Sequence, residues 1–321
     1  MEIEGRKVLV TGGAGFIGSH LVDRLVEEDC QVTVIDDLSS GRLASLEKAM
    51  ATGKVQFVEG DILKHDLVAT MEGCDAVFHV AANPEVRMES VDTRVHLEQN
   101  VTATHRVLEA MRAADVQDLL FTSTSTVYGE ATDIPTPEDY GPLSPISLYG
   151  ASKLAAETLI AAYCVSFGFR AVVIRFANVV GPRSTHGVIH DFIEKLRRDS
   201  TRLEILGRAP GTRKSYIHIM DCVDGMFAAW AATTKGCEAY NVGSEDMIDV
   251  RTIADIVVQE MDLEDVACQW TGGVDGGRGW KGDVRIMHLS VGKLKATGWR
   301  PRMGSAEAVR AAAEAVLKGA R

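Results

Sequence analysis

Residues 8–21 read Val8-Leu9-Val10-Thr11-Gly12-Gly13-Ala14-Gly15-Phe16-Ile17-Gly18-Ser19-His20-Leu21. The apolar run ending at Thr11 has the character of a buried strand. From Phe16 onward Ile17, Leu21 and Leu25 recur at helical spacing, so a helix is expected over 16–28. Gly12, Gly15 and Gly18 occupy the join. In a strand–turn–helix unit of this kind one glycine allows the tight turn, one lets a pyrophosphate approach the backbone, and one lets the helix pack against the strand. The uncompensated amides of the helix start then face the phosphates. Gly12, Gly15, Phe16, Ile17 and Gly18 are therefore the expected contacts of a dinucleotide, although the spacing is GxxGxxG and not GxGxxG.

Outward from this unit, apolar runs alternate with amphipathic stretches. Strands are expected at 31–35, 55–59, 75–79, 118–123 and 170–176, with helices at 96–114 and 150–167. Such alternation implies an α/β fold of Rossmann type, a doubly wound parallel sheet with helices on both faces. Past Asn178 the pattern loosens. A helix at 188–197, a strand at 203–206, an extended run at 214–219, a helix from about 222 with Asp221 as its cap, a strand near 239–242 and a helix at 305–318 are expected. The segment 271–282 holds six glycines and reads as a loop. The organisation expected is a nucleotide-binding domain over 1–178, to which 214–243 returns, and a smaller α/β substrate domain over 179–321, with the site between them.

Bulk properties narrow the function. The 321 residues carry a formal net charge of −11, which argues against nucleic acid and anionic membrane as partners. An anionic small substrate needs only a local cationic pocket. The six cysteines form no CxxC pair and no histidine cluster accompanies them, so reduced thiols and no metal are expected. The first residues lack the apolar stretch of a signal peptide, and no run approaches the ~18 apolar residues of a membrane span. A cytoplasmic protein is the expectation.

Two acids follow the glycine turn. Asp36 ends the second strand, eighteen residues past Gly18, near the distance at which a carboxylate meets the adenosine ribose hydroxyls. A carboxylate there repels a 2′-phosphate, so NAD is favoured over NADP. Asp61 and Ile62 follow the third strand and are placed to meet the adenine; a helix cap would also explain Asp61. Further on, Tyr149 and Lys153 stand one helical turn apart and share a helix face. A phenol of pKa ~10 is a poor base at neutral pH. A neighbouring ammonium and a cationic nicotinamide stabilise its phenolate and bring that pKa down.

In order, the chain presents Gly12-x-x-Gly15-x-x-Gly18, Asp36, Asp61-Ile62, His79-Val80-Ala81-Ala82, Asn100, Ser123-Thr124-Ser125-Thr126-Val127-Tyr128-Gly129, Tyr149-x-x-x-Lys153, Arg175-Phe176-Ala177-Asn178 and Tyr216-Ile217-His218. Over nearly its whole length it resembles the extended short-chain dehydrogenase/reductase family, and within it the nucleotide-sugar 4-epimerases. The resemblance implies that Tyr149 is the base, that Lys153 also holds the nicotinamide ribose, and that Thr124 bridges the sugar O4 and Tyr149. It adds Ala81, Ala82 and Asn100 to the NAD contacts. It implies a UDP-sugar substrate held by Ser125, Asn178, Val188 and Lys214, with Arg278 two residues short of the family's second arginine. Met287 falls where the family gates an N-acetyl group, and a homodimer built on the helices at 96–114 and 150–167 is implied.

Thr126 separates sub-families. The resembling 4,6-dehydratases and decarboxylases carry acids around this place, as elimination requires, whereas Thr124-Ser125-Thr126 offers hydroxyls alone. The expectation is an NAD-dependent 4-epimerase of a UDP-hexose, UDP-glucose and UDP-galactose first. Epimerisation of UDP-glucuronate or a UDP-N-acetylhexosamine is the alternative, and a non-catalytic NAD-sensing protein is the alternative of another class.

Overall fold

The glycine turn joins the two elements that the pattern demands. Strand β1 (Lys7–Thr11) ends at the turn, and a helix, Phe16–Glu27, leaves it. The computed structural model describes residues 2–86 and 92–319. In chain order the strands continue as β2 (Gln31–Asp36), β3 (Val55–Glu59), β4 (Ala76–His79), β5 (Asp118–Thr124), β6 (Arg170–Phe176), β7 (Asn178–Val180), β8 (Arg202–Ile205), β9 (Arg213–Lys214), β10 (Tyr216–His218), β11 (Cys237–Val242), β12 (Ile248–Asp249), β13 (Ala267–Trp270) and β14 (Ile286–Met287). Seven of them form one sheet in the order β11-β6-β5-β4-β1-β2-β3. Every pairing in it is parallel.

Alternation along the strands builds a core on each face. Val8, Val10, Val32, Val34, Phe78, Leu120, Val172 and Ile174 face one side. Leu9, Ile35, Val77, Leu119, Phe121, Ala171 and Val173 face the other. Each fully buried aliphatic side chain contributes ~1.5–3 kcal/mol against leaving it in water. Strand order reverses between β1 and β4, and the crevice at such a reversal, beyond the carboxyl ends of the strands, is where open α/β sheets bind ligands.

A third core joins β8 and Tyr216 to the helices Val188–Arg198, Val250–Glu260 and Ser305–Leu317. Small sheets frame it: β10 beside β7, β13 beside β8, and β12-β9-β14.

Local differences from the sequence reading have physical causes. The expected run at 214–219 is two strands. Ser215 lies between them, its amide on the Met287 carbonyl at 2.9 Å and its hydroxyl on the Ser244 carbonyl at 3.2 Å. The helix expected from about 222 is Ile219–Ala232, and His218 caps it through the Met220 amide. Asp221 is therefore not the cap. Buried in the first turn, its carboxylate accepts from the Arg302 amide at 2.9 Å, the Met303 amide at 3.2 Å and Arg302 Nε at 2.6 Å, fastening the C-terminal segment. The helix expected at 96–114 starts as Arg94–His96, widens to a π-turn over Leu97–Thr102 and resumes as Ala103–Ala113.

Candidate active site

The glycine turn forms a cradle fitted to a dinucleotide. Gly12 has φ +69, and a Cβ on it would lie 2.7 Å from the Ala81 backbone at the end of β4. A Cβ on Gly18 would lie 2.1 Å from the Gly12 carbonyl oxygen. Turn, helix and the neighbouring strand end thus touch through backbone alone. No side chain caps the Phe16–Glu27 helix and its first turn holds no acid, which leaves its amides and the positive end of its dipole for an anion.

Asp36 is 8% exposed at the end of β2. One carboxylate oxygen accepts from the Ala14 amide and the other from the Leu38 amide, each at 2.9 Å. Burial raises its pKa, while the two amides favour the anion. Four lone-pair sites less two amides leave acceptors for a pair of ribose hydroxyls. Ala81 follows β4, with its amide on the Thr11 carbonyl at 3.0 Å, and Ala82 is half-buried beside it. Asp61 accepts from the Leu63 amide at 2.9 Å in a turn after β3. It does not cap the next helix, because Asp66 does. Ile62 is pinned by Arg106 Nε on its carbonyl at 3.0 Å.

Ser147 caps the helix Leu148–Phe167 through the Gly150 amide at 3.1 Å. Tyr149 is half-buried, and Thr124 at the end of β5 stands near its phenol. Burial pushes the phenol up to about 12 and the nearby Thr124 hydroxyl pulls the other way. Lys153 is 2% exposed; its Nζ donates to the Thr122 carbonyl at 2.7 Å and sits 4.6 Å from the centre of the Phe121 ring. Burial brings it down to about 7. The ammonium is thus aimed at β5 and keeps donors in hand for a ribose. Thr124 Oγ1 is 3.1 Å from Thr126 Oγ1, and Ser125 is buried beside them.

Asn100 lies in the π-turn. Its Nδ2 donates to Ser152 Oγ at 2.9 Å and to the Asn83 carbonyl at 3.1 Å, and its Oδ1 accepts from the Asn83 amide at 2.8 Å. Thr104 donates to the Asn100 carbonyl at 2.6 Å and accepts from His79 Nε2 at 3.0 Å. His79 Nδ1 meets the Thr11 hydroxyl at 2.7 Å, so hydrogen bonds run from the glycine turn to Asn100. Burial, with Lys153 adding to it, holds His79 neutral, its pKa about 3.

On the substrate side, Asn178 starts β7 and its Nδ2 donates to the Ser215 carbonyl at 3.3 Å. Val188 opens its helix. Lys214 and Met287 are register neighbours in β9 and β14, and Met287 is 8% exposed within the first core. The two cations expected at the diphosphate both carry acid partners. Lys214 Nζ is 2.5 Å from Asp283 Oδ1; Arg278 pairs with Glu130 and donates to the Asp283 carbonyl at 2.6 Å.

A family model for the NAD dependent epimerase/dehydratase family matches residues 8–243. The chain belongs to that family. It is similar to the UDP-glucose 4-epimerase of Mycolicibacterium smegmatis, 37% identical over 74% of this chain and 77% of that one. A crystal structure of a UDP-galactose 4-epimerase is 45% identical, covers 98% of this chain and 99% of its own, and superposes with a TM-score of 0.86. The UDP-glucuronic acid 4-epimerase of Bacillus cereus, solved with UDP-glucuronic acid and NAD, is 27% identical over 97% of this chain and 99% of its own, with a TM-score of 0.86. As a member of this family the chain is an enzyme of the epimerase kind that works with NAD.

Sequence reasoning passed over the acids of the site. Glu130 and Asp283 neutralise Arg278 and Lys214, and Glu157 binds Arg175. Glu157 could have been found, since it stands four residues past Lys153 and eight past Tyr149, a charge on the helix stripe that must be buried. Nothing local marks Glu130 or Asp283, whose partners are far away in the chain.

Proposed function

We propose that the enzyme is an NAD-dependent 4-epimerase of a UDP-hexose, with UDP-glucose and UDP-galactose as its pair of substrates. The observation that carries this is Lys153 on the Thr122 carbonyl at 2.7 Å, one helical turn from Tyr149, with Thr124 near the phenol and only hydroxyls at Thr124-Ser125-Thr126. Tyr149 takes the proton of the sugar 4-hydroxyl, with Thr124 bridging the two oxygens. NAD supplies the place where the C4 hydride is held between its removal and its return. Burial holds the phenol up at about 12; Lys153, one helical turn on, and the nicotinamide cation, when bound, would bring it down toward the working pH. The 4-keto sugar turns about its phosphate linkage, and Tyr149 gives the proton back to the inverted oxygen. Elimination would need a further acid or base near C5 and C6, and the Thr124-Ser125-Thr126 hydroxyls do not supply one.

Asn178, in the family's place for a UDP-hexose diphosphate contact, supports an uncharged hexose over a glucuronate. Tyr149→Phe should lower turnover by about 10³-fold while NAD stays bound. The assay follows conversion of UDP-glucose, UDP-glucuronate and UDP-N-acetylglucosamine by product separation. Near-normal turnover in that variant would remove Tyr149 from the mechanism, and faster conversion of UDP-glucuronate would replace the proposed substrate.

A further inference from the structure

The stripe of the catalytic helix that carries Tyr149 and Lys153 continues to Glu157, which is 7% exposed and takes no part in the steps above. Its carboxylate binds the Arg175 guanidinium through Nη2 at 2.7 Å and Nε at 3.1 and 3.2 Å, and it accepts the Ser123 hydroxyl. Ser123 stands between Thr122, whose carbonyl receives Lys153, and Thr124, which stands near Tyr149. Arg175 is anchored in turn, with Nη1 donating to the Tyr128 hydroxyl at 2.9 Å and to the Glu138 carbonyl at 3.0 Å. One carboxylate therefore grips the residue between the two catalytic contacts of β5.

The groups around Lys153 can be named element by element. Its own helix supplies Tyr149 and Glu157. From β5 come the Thr122 carbonyl and the Phe121 ring. From β4 comes His79, held neutral. From β6 comes Arg175, bound to Glu157. The π-turn side contributes Asn100, on Ser152, and His96, whose ring centre is 6.0 Å from that of Tyr149. A buried ammonium needs a counter-charge to stay charged, and Glu157, one turn along the same helix, is the carboxylate that acts on Lys153.

We propose that Glu157 is a positioning residue for the reaction, its carboxylate placing a negative charge one helical turn from Lys153 and its bond to Ser123 setting Thr122 and Thr124 against Lys153 and Tyr149. The proposal rests on the roles given above to Tyr149 and Lys153. The direction of the electrostatics agrees: burial draws Lys153 down to about 7 and Glu157 works against that. Packing alone does not explain the pair, since a buried ion pair is often replaced by apolar residues without loss of stability.

The test is the pH profile of kcat for the NAD-loaded enzyme with UDP-glucose. Activity that needs the ammonium is lost as pH rises through the Lys153 pKa. Removing the Glu157 charge lowers that pKa, so Glu157→Gln should move the alkaline limb down by about one pH unit. Glu157→Asp, which keeps the charge, should leave the limb within about 0.3 units of wild type. A folded Glu157→Gln enzyme with an unmoved limb, or a limb equally displaced in both variants, overturns the proposal. If Glu157→Gln does not fold, Glu157→Gln/Arg175→Met strands no charge and takes its place; failure of both to fold would mark Glu157 as purely structural and overturn the proposal too. Wild-type enzyme that turns over no UDP-sugar sinks the substrate reading instead. The pH dependence of Lys153 reductive methylation, in wild type and Glu157→Gln, then reads the same shift.

Discussion

Gly15 and Gly18 lie in one motif, yet substituting each should break a different property. A Cβ on Gly18 would stand 2.1 Å from the Gly12 carbonyl oxygen and 2.8 Å from the Gly13 Cα. An ordinary carbon–oxygen contact is more than 3 Å, so helix and turn must part by about 1 Å, and overpacking against backbone costs about 3 kcal/mol. For a chain of 321 residues, at about 2 cal/mol/K per residue, that is roughly 5 °C in the unfolding midpoint. Gly15 differs. Its φ is −75 and ψ 179, extended backbone that alanine adopts, and its Cβ would meet only the Gly12 carbonyl, at 3.3 Å. Gly15→Ala should therefore shift the midpoint of the cofactor-free protein by less than about 1 °C. The new methyl projects into the open mouth of the cradle, where a pyrophosphate must reach the free helix amides, so NAD affinity should fall at least about tenfold, ~1.4 kcal/mol. Thermal unfolding of cofactor-free protein and calorimetric titration with NAD read the two properties separately. Wild-type NAD affinity in Gly15→Ala, or an unchanged midpoint in Gly18→Ala, would refute this division of labour.

Two more outcomes follow from buried groups. His79 is 1% exposed and held at about 3, below its unfolded value of ~6.5, so the unfolded chain binds the extra proton and stability is lost as pH falls below 6.5. Between pH 7 and 5 this costs roughly 2 kcal/mol; His79→Asn should flatten that part of the stability curve, and an unaltered slope in denaturant titrations at the two pH values would discount His79 as the cause. Asp221→Ala strands the Arg302 and Met303 amides and should destabilise by about 2–3 kcal/mol, read as a lowered unfolding midpoint; an unmoved midpoint would mean that the C-terminal segment is held by other contacts.

The legible parts of this chain were those whose signal is local. Alternation over 8–10, 32–35 and 171–174 marks strands because each residue must face one of two cores. Gly12, Asp36, Tyr149 and Lys153 were readable because their spacing is dictated by the elements that carry them. The π-turn at Leu97–Thr102 was not, since it depends on Asn100 and Thr104 turning inward to groups from 83, 152 and 79. The acid partners of Lys214 and Arg278 were hidden for the same reason: Asp283 lies 69 residues from Lys214, and Glu130 lies 148 from Arg278. A cation read alone looks free for phosphate, and only the tertiary structure shows what it holds.

Strand β11 has a consequence for how such a protein can change. The main sheet gains its last strand only after the chain has left it at Phe176 and passed through β7, β8, β9 and β10. Val284, Met287, Leu289, Val291, Leu294 and Trp299 then return to the first core. No single cut in the gene yields a front part with a closed sheet and a back part with its own core. Exchange of whole segments between relatives is therefore a poor route to a new sugar specificity. Diversification must proceed by single replacements along the rim of the cleft, with the sheet inherited intact.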